Sequence, residues 1–312
     1  MRARNGRLRP GRGEPGMGTG PDEALSRDLV RRHDRPRYYA CLFAPAEQRG
    51  ALFALYALKA EIARIPGHVS EPGLGEIRLQ WWREALERIA EGGAGETPHL
   101  VSLGEAMAHY HLPVAALTAL IDAHRGDLYA NPPATMGDLD GFFGETESAL
   151  FQLACLVLGE KGGGQSGEAE NKNTAEAAGH AGIAYGLSLR LGGLARDLAG
   201  GRCILPAELL AEHGLSAEAM ISAPAPEAAL DIVAQLADKA GEHLDKALAA
   251  AGQLPSRLKP AFLPLALVRP MITRIRAAGA SILTKPVTVS DLNVLARMFI
   301  AAIRPPRARR SR

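Results

Sequence analysis

The sequence predicts an all-α protein, and three observations carry that prediction. Hydrophobic residues make up 47% of the 312-residue chain while aromatics reach only 5%, so Leu, Ala, Ile and Val do most of the packing. That balance suits helices better than sheets. Apolar residues recur at three- and four-residue spacing through successive segments. The nearest strand candidate, Lys285–Val289, is too short to build a sheet.

In chain order, a helix begins near Pro21–Asp22 and ends by His33, with a break at Pro36. The next starts at Pro45-Ala46-Glu47, where proline suits a first turn. It carries Leu52, Leu55, Tyr56, Leu58, Ile62 and Ile65 at helical spacing until Pro66-Gly67 ends it. In Leu74–Ile89, one face holds Leu74, Ile77, Trp81, Ala85 and Ile89, and the adjacent one Leu79, Trp82 and Leu86. That pattern predicts burial around much of the circumference, with both tryptophans in the core. Glu91–Pro98 is a Gly-rich loop. Further helices are predicted over 99–109, 113–129, 137–158, 175–199, 204–213, 226–252, 257–279 and 290–303, the last capped by Ser290-Asp291. The polar stretch Gly159–Asn173 is a linker or mobile loop. Short connections and the lack of a fixed-period repeat imply one helical bundle. The 175–199 helix is rich in small residues, including Gly179, Gly182, Gly186, Gly192 and Gly193. Interior glycines each cost about 0.5–1 kcal/mol relative to alanine, so close helix approach or a cavity is expected beside them.

Charge divides the chain into an acidic body with basic ends. Residues 1–21 carry five Arg against Glu14 alone, and 304–312 carry five Arg and no acid, leaving 26 basic and 33 acidic residues between them, a net charge of about −7. The expected organisation is a disordered basic tail over 1–21, one helical domain over 22–303 and a second basic tail over 304–312. Solvated ends are the plain reading of the tails; an electrostatic tether is the sharper one. No nucleic-acid partner is expected, since Trp81 and Trp82 read as core residues. Cys41, Cys155 and Cys203 form no CxxC pair and read as reduced, mostly buried thiols. No run reaches the roughly 18 apolar residues of a membrane span, and Ala149–Leu158 reads as a buried helix. The start lacks a signal-peptide core, and Met17 is an alternative first residue. A cytoplasmic location follows, with peripheral contact at the inner face of the membrane through DLNVLARMFIAAIR and its Arg tail as the variant. His109 and His111 have no nearby Cys or carboxylate, so no metal site is expected there.

Three stretches resemble the squalene/phytoene synthase family. YYACLFAPAEQRGALFALYALKAEIARI (38–65) is similar to the family's aromatic helix, LPxxxR turn and ALYAF helix, with Pro45 and Arg49 at the turn. VSEPGLGEIRLQWWREAL (69–86) is similar to the helix after the first active-site motif. Gly182–Pro206, ending in GRCILP, resembles the family's RD…GRxYLP segment. Residues 127–159 follow the mid-chain helix pair, so the resemblance spans about 22–300 and implies an isoprenoid-synthase-type bundle around a central cavity. In that family, two aspartate-rich motifs face each other and hold Mg²⁺ on the diphosphate of a prenyl substrate. Mg²⁺ requires several hard oxygen ligands.

Those aspartates are missing. The first motif's positions read Ala63, Arg64 and Gly67, with Glu61 a turn too early. In the second, Asp197 matches one aspartate, but the following LAGGR stretch lacks its mate, and the upstream Gln and Asn positions read Arg190 and Gly193. The pattern is closer to the complex I assembly factors of the same superfamily, which keep the scaffold without the aspartates. The resemblance therefore implies a non-catalytic family member that is assembly-factor-like or lipid-binding, with a respiratory-complex subunit or a prenyl lipid as partner. The alternative is an active prenyltransferase joining two prenyl diphosphates head-to-head. An unrelated helical interaction module is the third reading. Candidate diphosphate-binding residues are Arg49, Arg64, Arg190 and Arg196, since arginine pairs with phosphate bidentately. Asp197 is the one candidate metal ligand, and Phe53, Tyr56, Gly186 and Gly193 are candidates to line a cavity. No cofactor is expected, and Mg²⁺ only if the protein is catalytic.

Overall fold

A computed structural model describes residues 21–159, 167–222 and 227–303. Both predicted tails fall outside these residues apart from Pro21, which opens the first helix, as do positions 160–166 of the predicted linker. The described residues form α-helices joined by short 3₁₀ turns, with no β-strand. In order the helices are α1 (Pro21–His33), α2 (Arg35–Leu42), α3 (Ala46–Arg64), α4 (Pro72–Ala90), α5 (Pro98–Tyr110), α6 (Val114–Ala123), α7 (Met136–Phe143), α8 (Ala149–Gly159), α9 (Glu168–Ala199), α10 (Ala207–Glu212), α11 (Ala217–Ser222), α12 (Glu227–Ala251), α13 (Lys259–Phe262), α14 (Val268–Ala278) and α15 (Asp291–Ile303).

Two long helices organise the bundle. On one side α3 packs against α1, α5 and α8; on the other α9 runs along α12 and also meets α8 and α14. Nearly every side chain of α3 from Ala51 to Leu58 is buried. One large apolar core joins both sides, and a smaller one lies where α15 crosses α2 through Ala40, Val294 and Met298.

The small residues of α9 account for its close packing. A Cβ at Gly182 would lie 2.3 Å from the Ser148 amide nitrogen and 2.5 Å from its Cα, and one at Gly186 would lie 2.3 Å from the Phe143 ring. At Gly192 a Cβ would come within 3.0 Å of the Val287 carbonyl, and the Val287 amide donates to the Gly192 carbonyl at 2.8 Å. The strand candidate 285–289 is thus an extended segment seated on α9 by one backbone hydrogen bond.

Several boundaries differ from the sequence expectation. Pro36 starts a helix instead of only breaking one: Asp34 caps α2 by accepting from the Arg37 amide at 3.2 Å. The continuous helix expected over 137–158 is interrupted by a π-helical turn, Gly144–Ser148, between α7 and α8. The segment expected to stay irregular to Asn173 is helical from Glu168. The 113–129 helix ends at Ala123, the 204–213 helix starts only after Pro206, and 257–279 divides into α13, α14 and 3₁₀ turns. The largest correction concerns α4. Leu79, Trp82, Ala85 and Leu86 are buried, but Leu74, Ile77 (67% exposed) and Trp81 face outward, because α4 packs on α5 and α6 from one side only. All three cysteines are buried thiols, and burial pushes Cys155 up to about 12.

Thr135 begins α7 with a capping box: its hydroxyl accepts from the Asp138 amide at 3.1 Å while the Asp138 carboxylate accepts from the Thr135 amide at 2.9 Å. Thr135→Ala is expected to cost about 1 kcal/mol, measured as a shift in the urea midpoint at constant slope.

Candidate functional site

The C-terminal half of α3, the 3₁₀ turn Ile65–His68, the π-helical turn and the C-terminal half of α9 enclose a cavity of about 370 Å³. Positions 63, 64 and 67 reach it from one side, and Gly186, Arg190, Gly193, Arg196 and Asp197 from the other. The two motif positions read from the sequence therefore do face each other. Their chemistry is inverted. Five cationic side chains, Lys59, Arg64, Arg190, Arg196 and Arg202, line the cavity against three carboxylates, Asp127, Glu147 and Asp197.

Each carboxylate is already engaged. Arg190 reaches both oxygens of Asp127, at 2.7 and 2.9 Å, and its guanidinium lies 4.7 Å from the centre of the Phe142 ring. Arg202 donates to Asp197 at 2.9 Å. Glu147, on the π-helical turn, accepts from Arg37 at 2.5 Å and pairs with Lys59 at 3.1 Å. Burial alone would raise the Asp127 and Glu147 pKa values; Arg190 overrides it at Asp127, and Arg37 with Lys59 at Glu147, holding both below the usual carboxylate range. Burial, together with the cationic Lys59 and Arg190, lowers the pKa of His124. Arg64 is held more loosely, 3.4 Å from Glu61, and the guanidinium of Arg196 makes no hydrogen bond or ion pair among the described residues. The Asp127–Arg190 pair also separates this cavity from a second one of about 370 Å³, which Tyr129, Asn131 and Pro132 line with it.

This donor set does not fit Mg²⁺. A hard divalent cation needs several free oxygens, whereas the three carboxylates are tied to cations and two further cations adjoin them. Among the described residues, no group of three or more His, Cys, Asp or Glu is placed to hold a metal ion.

Not every candidate residue reaches the cavity. Arg64, Arg190, Arg196, Asp197, Gly186 and Gly193 do. Arg49 does not: it donates to the carbonyls of Ala44 at 2.9 Å and Leu42 at 3.1 Å, closing the end of α2. Phe53 and Tyr56 are core residues that line none of the cavities described here. Tyr56 instead packs on Arg37, whose guanidinium lies 5.2 Å from its ring, 5.0 Å from Tyr185 and 5.7 Å from Phe151. Buried charge occupies this part of the core. Asp127, Glu147, Lys59, Arg37 and Arg202 were not anticipated. Glu147 had a signal, as a carboxylate beside the apolar run of α8, whereas Arg37 had none.

A family model described as squalene/phytoene synthase matches residues 30–293. The chain is 26% identical over 261 residues to the Bos taurus protein named NADH dehydrogenase (ubiquinone) complex I, assembly factor 6, covering 84% of this chain and 76% of that one. Among solved structures, a dehydrosqualene synthase in complex with ligand superposes with a TM-score of 0.74 at 15% identity, covering 90% of this chain and 95% of the other. A squalene synthase from Alicyclobacillus acidocaldarius gives 0.67 at 20% identity, with 83% and 94% covered. At such identities the structural likeness speaks for the isoprenoid synthase fold alone.

Proposed function

The chain belongs to the squalene/phytoene synthase family, and from that premise we propose that it works as a non-catalytic assembly factor for a respiratory complex, not as a synthase. The observation that carries this reading is the inverted cavity: cations stand where metal-binding carboxylates are needed, and each remaining carboxylate is paired. Ionising an allylic diphosphate needs concentrated positive charge on the leaving group in a fixed geometry. Here Arg190 and Arg202 are committed to ion pairs, and among the described residues no cluster of metal-ligating side chains replaces them. The similarity to complex I assembly factor 6 across more than four-fifths of the chain supports a protein client belonging to a respiratory complex. A helper of that kind works beside a membrane, and peripheral contact at its inner face is part of the proposal.

A ligand role remains open to the same cavity. Arg64 and Arg196 leave it with a cationic surplus, which suits the phosphate of a prenyl diphosphate held as a ligand, without metal and without turnover.

Two measurements test the proposal together. Deleting the gene in its source organism is expected to lower assembled complex I on native gels, and both the wild-type chain and Asp197→Asn are expected to restore it. The purified protein with farnesyl or geranylgeranyl diphosphate and Mg²⁺ is expected to release no pyrophosphate. Turnover, or an unchanged level of complex I in the deletion strain, would overturn the assembly-factor reading.

A further inference from the structure

Residues of α12, α13 and α15 line a groove of about 570 Å³ that shares no lining residue with the cavity between α3 and α9. Leu244, Leu248 and Ala251 reach it from α12. They recur at i, i+4 and i+7, which makes one apolar stripe roughly 10 Å long at 1.5 Å rise per residue. Phe262 and Leu263 add further apolar surface. Phe262 is held in place by stacking on Phe151 of α8, with 5.6 Å between ring centres. A concave, mostly apolar space of this size with a few polar groups is what a small-molecule site requires.

The charged residues of the groove are all cations, Lys259, Arg269 and Arg297, and no Asp or Glu lines it. Arg269 is neutralised by Asp245. The other two have only neutral partners among the described residues. The Lys259 ammonium donates to the Ala302 carbonyl at 2.8 Å, and the Arg297 Nε donates to the Asn293 Oδ1 at 2.6 Å. The first of these bonds closes the end of α15, but it uses one of three ammonium N–H groups and leaves the charge unbalanced. Arg297 keeps both terminal nitrogens of its fork. Positions 297 and 302 are about 7.5 Å apart along the helix axis, so both unbalanced charges belong to the α15 side of the groove. An apolar stripe on one helix and two unbalanced cations on another match an acyl chain that ends in a carboxylate. The two carboxylate oxygens suit the guanidinium fork.

We infer that this groove binds one molecule of a long-chain fatty acid, its chain along the α12 stripe and its carboxylate at Lys259 and Arg297. The inference goes beyond the assembly-factor reading and does not depend on it.

The test is calorimetric titration of the purified full-length chain with dodecanoate, kept below its micelle concentration. One saturable site per chain is expected, tightening about fourfold for each methylene added between octanoate and dodecanoate. Dodecanol has the same chain without the charge and is expected to bind at least about tenfold more weakly. Ala251→Trp fills the groove and is expected to weaken dodecanoate binding about tenfold or more. Arg297→Gln is expected to weaken it about fivefold. Arg297 is exposed, so an unaltered melting temperature accompanies that loss. No saturable binding, equal binding of dodecanol, or unchanged binding by either variant would overturn the inference. So would a dimer in solution that Ala251→Trp dissociates, because a second copy would then fill the groove. Both variants lie outside the cavity between α3 and α9, so their effect separates this site from a ligand held there. Calorimetry needs no respiratory complex, so its failure is separable from failure of the gene-deletion test.

Discussion

Replacing Glu147 by alanine is expected to destabilise the fold by about 3–5 kcal/mol, because it strips a buried cation of its partner. Arg37 is 1% exposed and enclosed by Tyr56, Tyr185 and Phe151. Its guanidinium is balanced by Glu147 at 2.5 Å and Asp34 at 2.9 Å. Without Glu147, Arg37 keeps only Asp34, and Lys59 loses its carboxylate as well. Urea unfolding checks the value. Arg37→Met combined with Glu147→Leu is expected to cost much less than the two single changes summed, since removing both charges removes the desolvation problem. The pH dependence follows from the direction of the shift. Arg37 and Lys59 hold the folded pKa of Glu147 below its unfolded value of about 4.3. The group binds fewer protons when folded, so its stabilisation is complete above about pH 4.3 and is lost as pH falls toward the folded pKa. Glu147→Ala therefore lowers stability at neutral pH and flattens the acid limb of the stability curve.

Gly182→Val carries the second large effect. Its Cβ would meet main-chain atoms of Ser148 at 2.3–2.5 Å. Those atoms belong to the π-helical turn, and the Ser148 hydroxyl donates to the Gly179 carbonyl at 3.1 Å, so neither partner moves without the other. Overpacking of this kind costs about 1–3 kcal/mol, occasionally more. A better helix former at the same position would return only about 1 kcal/mol at most. The net loss is expected to appear as a lower melting temperature. Gly179→Ala, one turn away with nothing within 4 Å of its Cβ, is the matching control and is expected to leave the melting temperature unchanged or higher.

The helical bundle was readable because apolar spacing repeats at the helix period over most of the chain, and the facing of the two motif positions because they sit at fixed places in ordered segments. The errors have local causes. Pro36 reads as a breaker, yet the carboxylate of Asp34 turns it into a helix start. Nothing in GETES announces a π turn, since a single extra residue per turn leaves no period to detect. Leu74, Ile77 and Trp81 share a helical face with buried residues, and amphipathicity cannot reveal which neighbour is missing. The charged network was out of reach for another reason. Arg37 and Glu147 lie 110 positions apart, and Asp127 and Arg190 lie 63 apart, so only tertiary folding brings them together. From the sequence, Phe53 and Tyr56 looked like the walls of a lipid tunnel. The fold packs them into the core, with Tyr56 against a buried arginine.

The pairing of every carboxylate in the cavity bears on the history of the site. Restoring one aspartate at position 63 or 67 would place a new carboxylate near Arg64, where forming another ion pair competes with binding a metal. A working ligand set would require Arg64 to be lost and Asp127 and Asp197 to be freed from their arginines, and freeing either one alone leaves a cation unpaired. Each intermediate on that path is less stable than its starting point and not yet catalytic. The interlocked charges thus tie these positions to one another: building a metal-binding set here would demand several changes at once.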